Sequence, residues 1–377
     1  MLYRVQDKTI HLPNLRRLIF NVHLLIALIA GTFITVLGVT GSIIAFEPEL
    51  DRLLHPHLSY VAPGGRILSL REIGEAVSQN FGGEPIIAYL PSSSPNLSSE
   101  VLLSRGVVCV NQYTGAVLGV RTRGQTFLGF VRTLHIRLAF GHAGRNIMRW
   151  SGVAMLFSLV SGLYLWWPIK RIRIQANWRS RRFWFDVHNS VGIFSLLPLF
   201  VLTLTGTIIG FEDQAATLID KLMGPAIVNT QKTAARLEPT PGAVPITPDE
   251  AVAIARVQMP GAIPYRVQMP RYGGVYRVTL LYPQDRISGA RNLLTVDPYS
   301  GNVLFSSQSK DLSARERVLA TNEAIHTGDI LAMPSRIIAS LASAILPLQA
   351  LSGLLMWLRR NKVMPTPSRS GEGVLDT

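Results

Sequence analysis

Four long apolar runs dominate the chain: Leu24–Phe46, Ile147–Trp167, Asn189–Phe211 and Ile337–Leu358. Only the second carries a charge, Arg149. At about 1.5 Å per residue, some 20 residues cross the roughly 30 Å hydrocarbon core of a bilayer. Each run reads as a membrane-spanning helix. The segments between spans 1 and 2 and between spans 3 and 4 follow shorter periods. Ser69-Leu-Arg-Glu72 and Thr247-Pro-Asp-Glu250 each open an apolar-periodic stretch with the signature of a helix capping box. Val110–Leu118 and Val296–Leu304 each read as two strands joined by a Gly-containing turn. Leu90–Pro95 and Pro239–Pro245 read as loops. Each long segment is therefore expected to be a small α+β unit, one helix followed by an antiparallel sheet.

The pattern occurs twice. Phe20–Glu47 aligns with Phe185–Glu212 at a constant offset of 165, with 11 of 28 positions identical. These include His23/His188, Thr40-Gly41/Thr205-Gly206 and Phe46-Glu47/Phe211-Glu212. At an offset of 191, His135 matches His326, Arg145 matches Arg336, Ser161-Gly162 matches Ser352-Gly353, and Trp166 matches Trp357. The chain reads as a tandem duplication whose halves run in the same direction. Such halves are related by an axis along the membrane normal.

Charge gives an orientation. The chain is 48% apolar and only 16% charged, with a formal net charge of +14, where soluble domains average about 25% charged. Arg4, Lys8, Arg16 and Arg17 precede span 1. Lys170, Arg171, Arg173, Arg179, Arg181 and Arg182 lie between spans 2 and 3. Arg359, Arg360, Lys362 and Arg369 follow span 4. Positive segments stay cytoplasmic, which explains the excess charge without nucleic acid. The boundaries expected are a cytoplasmic N-terminus (1–19), span 1 (20–46), a periplasmic unit (47–130), a lead-in and span 2 (131–167), a cytoplasmic loop (168–187), span 3 (188–211), a second periplasmic unit (212–320), a lead-in and span 4 (321–358), and a cytoplasmic tail (359–377). In a bacterial inner (cytoplasmic) membrane, the outer side is the periplasm. The fold class is a four-helix transmembrane bundle with two periplasmic α+β domains.

One cysteine, Cys109, excludes an internal disulfide, CxxCH haem attachment and Cys-ligated iron–sulfur clusters. A redox centre would have to use histidine. Four of the eight histidines form equivalent pairs, His23/His188 at the cytoplasmic boundary and His135/His326 on the periplasmic side. A planar cofactor on the axis takes one axial ligand from each half, so two pairs at two depths point to two b-type haems. A divalent-metal site or a proton relay is the alternative. His142 lies seven residues after His135, shares its face if that stretch is helical, and competes as the outer ligand; its equivalent is Met333. Gly162 and Gly353 fall near the inner pair, and Gly41 and Gly206 near the outer. They leave room for a macrocycle edge or serve ordinary small-residue packing. Arg132, Arg137, Arg145, Arg149 and Arg336 surround the outer pair, as propionate or substrate anchors or as an interfacial collar. Glu47 and Glu212 recur at the outer ends of spans 1 and 3, to hold a ligand histidine, to receive iron, or as helix-end acids in water.

In these residues the chain resembles the PepSY-associated transmembrane family of bacterial iron-regulated membrane proteins. The likeness rests on His23 leading to Thr40-Gly41-Ser42, His135 leading to Ser161-Gly162-Leu163 and Trp166, His188 leading to Thr205-Gly206, and His326-Thr327-Gly328 leading to Ser352-Gly353-Leu354 and Trp357. It implies PepSY-like periplasmic domains and kinship with siderophore-iron reductases such as ferrioxamine reductase. The activity expected is a haem-dependent reduction of a periplasmic ferric siderophore that releases ferrous iron. No P-loop, and no GxGxxG following a strand, is present. The donor expected is membrane quinol or a separate cytoplasmic reductase. The alternatives are a non-enzymatic metal-binding sensor or chaperone, and a haem or siderophore transporter.

Overall fold

A computed structural model describes residues 12–122, 126–170, 172–224, 244–270, 274–283 and 292–360. Arg4, Lys8, Arg171, Lys362, Arg369 and most of the Pro239–Pro245 loop lie outside them. In chain order the first half runs α1 (Leu12–Ile44), α2 (Glu47–Leu54), α3 (Pro56–Ser59), α4 (Leu70–Asn80), β1 (Ala88–Leu90), β2 (Ser99–Leu102), β3 (Val107–Val110), β4 (Val117–Arg121), α5 (Phe127–Arg137) and α6 (Gly141–Trp166). The second half runs α7 (Arg181–Gly210), α8 (Glu212–Met223), α9 (Pro248–Gln258), β5 (Ile263–Gln268), β6 (Tyr276–Leu281), β7 (Asn292–Val296), β8 (Val303–Ser307), α10 (Ala314–Thr327) and α11 (Met333–Leu358).

Helices α1, α6, α7 and α11 are long and apolar enough to cross a membrane. The apolar runs mark only part of each. α7 starts at Arg181, where the Ser180 hydroxyl accepts from Phe183 N at 3.0 Å and satisfies one of the helix's unpaired N–H groups. Inside the bundle α1 packs on α6 and α11, and α7 packs on the same two helices. That leaves α1 and α7 on one diagonal and α6 and α11 on the other. Small residues permit the contacts between halves. A Cβ added at Gly38 would stand 2.6 Å from the Ser343 carbonyl of α11, and one at Gly152 would stand 2.6 Å from Thr207 Oγ1 of α7. Ala30, Ile34, Met155, Leu159, Leu199, Ala342 and Leu346 form the buried apolar middle of the bundle.

The expected pair of α+β units is one continuous structure. Eight antiparallel strands follow the order β4-β3-β2-β1-β5-β6-β7-β8, and β1 pairs with β5 through Ala88↔Gln268 and Tyr89↔Val267. Two separate sheets would leave both strands as open edges, which invite unwanted pairing. Joining them removes both edges. Helices α4 and α9 lie against the sheet, where Ile73, Val77, Val252 and Ala255 meet Val101, Val108, Val267, Val278 and Leu294. Ser69 with Glu72, and Thr247 with Glu250, form reciprocal capping boxes. The Asp249 carboxylate also accepts from Leu70 N at 2.8 Å and Arg71 N at 2.9 Å, so an acid of one half caps the helix of the other.

Candidate functional site

The diagonal geometry brings the repeat-equivalent histidines together. His23 on α1 and His188 on α7 face each other across the bundle, with ring centroids 6.5 Å apart and planes at 90°. His135 on α5 and His326 on α10 face each other at the sheet end, with centroids 6.4 Å apart and planes at 40°. His135 packs against Gly41 of α1, and His326 against Gly206 of α7. From His23 to Gly41, and from His188 to Gly206, is 18 residues, so the two levels stand about 27 Å apart along the helices.

Every one of the four imidazoles is held at Nδ1. His188 Nδ1 lies 3.2 Å from the Gln349 carbonyl and 3.1 Å from Ser352 Oγ. His326 Nδ1 lies 3.0 Å from the Leu202 carbonyl and 3.2 Å from Thr205 Oγ1. Carbonyls only accept, so Nδ1 carries the proton in both rings. His23 Nδ1 meets Ser161 Oγ at 2.8 Å and His135 Nδ1 meets Thr40 Oγ1 at 3.0 Å. Those hydroxyls already donate to the Phe157 and Val36 carbonyls, so they too accept. In all four rings the Nε2 lone pair is left as a ligand. Burial, and then the neighbouring His326, push His135 down to about 4. Burial also lowers His326. Both rings are neutral near pH 7, the form a metal requires.

The four glycines serve these rings directly. A Cβ at Gly206 would stand 2.6 Å from His326 Cε1, and one at Gly41 would stand 3.1 Å from His135 Cε1. At Gly162 it would stand 3.5 Å from His23 Cε1, and at Gly353 3.6 Å from His188 Cε1. Glycine here lets an imidazole lie close against a helix backbone; the sequence left a macrocycle edge and ordinary small-residue packing both open. The Ser and Thr before each glycine are the residues whose role sequence reasoning missed. Their recurrence in all four spans was the signal.

The sheet-end pair opens into a cavity of about 1440 Å³, roofed by Leu293 and Phe305 of the second-half strands and walled by Arg145 and Arg149 of α6. Ligand pockets usually run about 300–1,000 Å³, so this one has room for a large planar group. Arg149 Nε is buried without a hydrogen-bond partner, and its guanidinium lies 5.7 Å from the Phe211 ring centroid. Arg132 and Glu212 also line the cavity, and Arg132 pairs with Glu47. The far-end pair lies in a cavity of about 130 Å³ with Trp166, Asn189 and Gln349. A macrocycle between His23 and His188 would extend beyond those walls.

Three expected site residues lie elsewhere. His142 is exposed on the first turn of α6 and does not line the cavity. Leu138 (φ 47°) and Ala139 (φ 61°) take the left-handed conformation and break the chain between α5 and α6, so His135 and His142 share no helical face. Arg336 ties Glu49 at 2.9 Å and Asp329 at 2.7 Å and does not line the cavity. Its charge is spent joining α11 to α2. Arg137 is exposed and also lies outside the lining. Among the described residues no group of three or more His, Cys, Asp or Glu could hold a metal ion. Each histidine pair therefore offers two protein ligands.

A comparison with curated proteins gives no match. The family model described as the PepSY-associated TM region matches residues 20–360. This is a membrane protein, and it belongs to the PepSY-associated TM region family.

Proposed function

We propose that this protein is a di-haem inner-membrane reductase that passes electrons to a periplasmic ferric siderophore. One observation carries the reading: two facing histidine pairs, each with both Nδ1 atoms anchored and both Nε2 atoms free. Two imidazoles holding one metal between their Nε2 atoms, at about 2.0 Å each, would have ring centroids roughly 6 Å apart. The observed 6.5 and 6.4 Å agree. A group that carries its own remaining ligands, as haem does, would need only two from the protein. At the sheet end the cavity volume and the unpaired Arg149 Nε also suit a macrocycle with carboxylates. At the far end the ring spacing suits it, and the helices around Trp166 and Asn189 must make room.

Haem held at each level would supply one-electron transfer; the protein's part is placement and electrostatics. Ser161, Ser352, Thr40 and Thr205 fix ring orientation and keep Nε2 basic. Arg145 and Arg149 put positive charge beside the sheet-end site. Leu159, Leu199 and Leu346 make the middle of the bundle between the levels apolar. The duplicated sequence makes the two halves equivalent, and the basic residues at the far end, Arg16, Arg17, Arg181 and Arg182 among them, set it in the cytoplasm. Both termini are then cytoplasmic and the sheet is periplasmic. Ferrous iron binds oxygen-rich chelators more weakly than ferric iron, so one electron frees the metal. The donor is membrane quinol or a cytoplasmic reductase.

The test mixes dithionite-reduced, desalted protein with a ferric hydroxamate and a ferrous-specific chelator. The expected result is reoxidation of the haem bands in step with ferrous capture. Haem bands that stay reduced while the ferric chelate persists would overturn the reductase reading.

A further inference from the structure

Helices α2 and α8 leave their large apolar side chains uncovered, which is unfavourable on a surface that faces water. A surface helix in water buries its apolar stripe and shows its charges. In α2, Glu47 pairs with Arg132 of α5, Glu49 with Arg336 of α11 and Asp51 with Arg121 of β4. In α8, Asp220 pairs with Arg315 of α10 at 2.8 Å. In α2 the acids turn inward; in α8 Asp220 does so while Glu212, Asp213 and Lys221 stay exposed beside the outward leucines, and neither helix has a buried residue. Facing out are Leu53, 75% exposed, and Leu222, also 75% exposed, with Leu218 at 57%. Leu53 and Leu218 stand at the same offset of 165 as the histidines of α1 and α7.

These helices continue the spans with almost no linker. Phe46 is the N-cap of α2 and Phe211 is the N-cap of α8 and the C-cap of α7. At the corner between α5 and α6, Phe140 caps the start of the second span and is 73% exposed. The exposed apolar belt is thus continuous with the lipid-facing sides of the bundle.

We propose that α2, α8 and the α5–α6 corner lie in the interfacial layer of the leaflet on the sheet side, with lipid acyl chains and head groups covering their apolar faces. Amphipathic helices at that depth bury one face in the boundary between head groups and chains. The sheet-end histidines then sit at the lipid boundary, and the large cavity opens at head-group level. The inference rests on the membrane-spanning bundle and is independent of haem.

Variants with one added cysteine test it. Native Cys109 is buried and its thiol is pushed up to about 11 by that burial, so a spin label goes to the new site. Leu53→Cys, Phe140→Cys and Leu222→Cys are labelled in the full chain, in phosphatidylcholine–phosphatidylglycerol vesicles. Val257→Cys on α9, an exposed apolar position on the sheet side, is the water-side control. Collision with oxygen, which concentrates in lipid, is compared with collision with a water-soluble nickel complex. The expected oxygen-to-nickel ratio is several-fold higher at 53, 140 and 222 than at 257. Equal ratios at all four sites would overturn the proposal. So would dipolar broadening between labels at 140 or 222, which would mean that a second chain covers the belt.

Discussion

Replacing the four imidazole-seating glycines by alanine, one at a time, should give a graded series. Each glycine lies inside a long helix, where alanine is favoured by up to about 1 kcal/mol. Against that stands the new Cβ. At Gly162 and Gly353 it meets the imidazole at 3.5 and 3.6 Å, ordinary contact, so these variants should be neutral or slightly stabilised. At Gly41 the contact is 3.1 Å and His135 must give by a few tenths of an ångström. At Gly206 it is 2.6 Å to His326 Cε1, with Nδ1 at 3.2 Å and Nε2 at 3.4 Å. Reaching ordinary contact of 3.4 Å moves that ring by about 0.8 Å. His326 is tied through Nδ1 to Leu202 and Thr205 on the same helix, so the move turns the side chain off its rotamer at about 0.5–1.5 kcal/mol. Metal–ligand distances tolerate only about 0.2 Å. Gly206→Ala should therefore weaken the sheet-end site about 10–100-fold, the range seen when a ligand's support is lost. The assay is haem per chain after passage over apomyoglobin, with a thermal melt of each variant beside it. Full haem retention in Gly206→Ala, or equal damage in Gly162→Ala, would refute the packing logic.

Further outcomes follow from single side chains. Ser161→Ala removes the side-chain acceptor of His23 Nδ1 and should lower far-end affinity about 10-fold or more; Thr205→Val should cost less, because the Leu202 carbonyl still holds His326 at 3.0 Å. Haem off-rates of the two variants decide it. The Cys109 thiol, raised to about 11 by burial, is protonated at neutral pH and should resist maleimide in the folded protein and react in denaturant, as read by mass spectrometry. His135, lowered to about 4 from an ordinary 6.5, stays neutral in the fold while the unfolded chain takes a proton below about pH 6.5. Stability of the haem-free protein should thus be full above that pH and fall as pH drops toward 4. A melting temperature flat across that window would contradict it.

Different parts of the molecule are legible in the sequence to different degrees. The spans are, because lipid leaves a backbone few choices and composition records them. The capping boxes at Ser69 and Thr247 are, because they are local chemistry. The offsets of 165 and 191 single out four histidines before any coordinates. The β1–β5 junction is not legible: strand order is a long-range property, and Ala88 and Val267 read like any other strand residues. Nor is the break at Leu138 and Ala139, because neither residue favours the left-handed conformation they adopt. A helix continued through that point would have kept His142 beside His135. The carbonyls of Leu202 and Gln349 are invisible for a simpler reason, since a backbone acceptor has no letter.

Haem content of the purified protein, taken with four histidine variants, bears most directly on the proposed function. The pyridine haemochrome assay should give two b-type haems per chain. His23→Ala and His188→Ala should each remove one haem and leave the same one behind; His135→Ala and His326→Ala should each remove the other, and exposed His142→Ala should remove neither. Protein that holds no haem after expression with ample haem supply would contradict the di-haem reading, as would losses that do not divide into these two pairs.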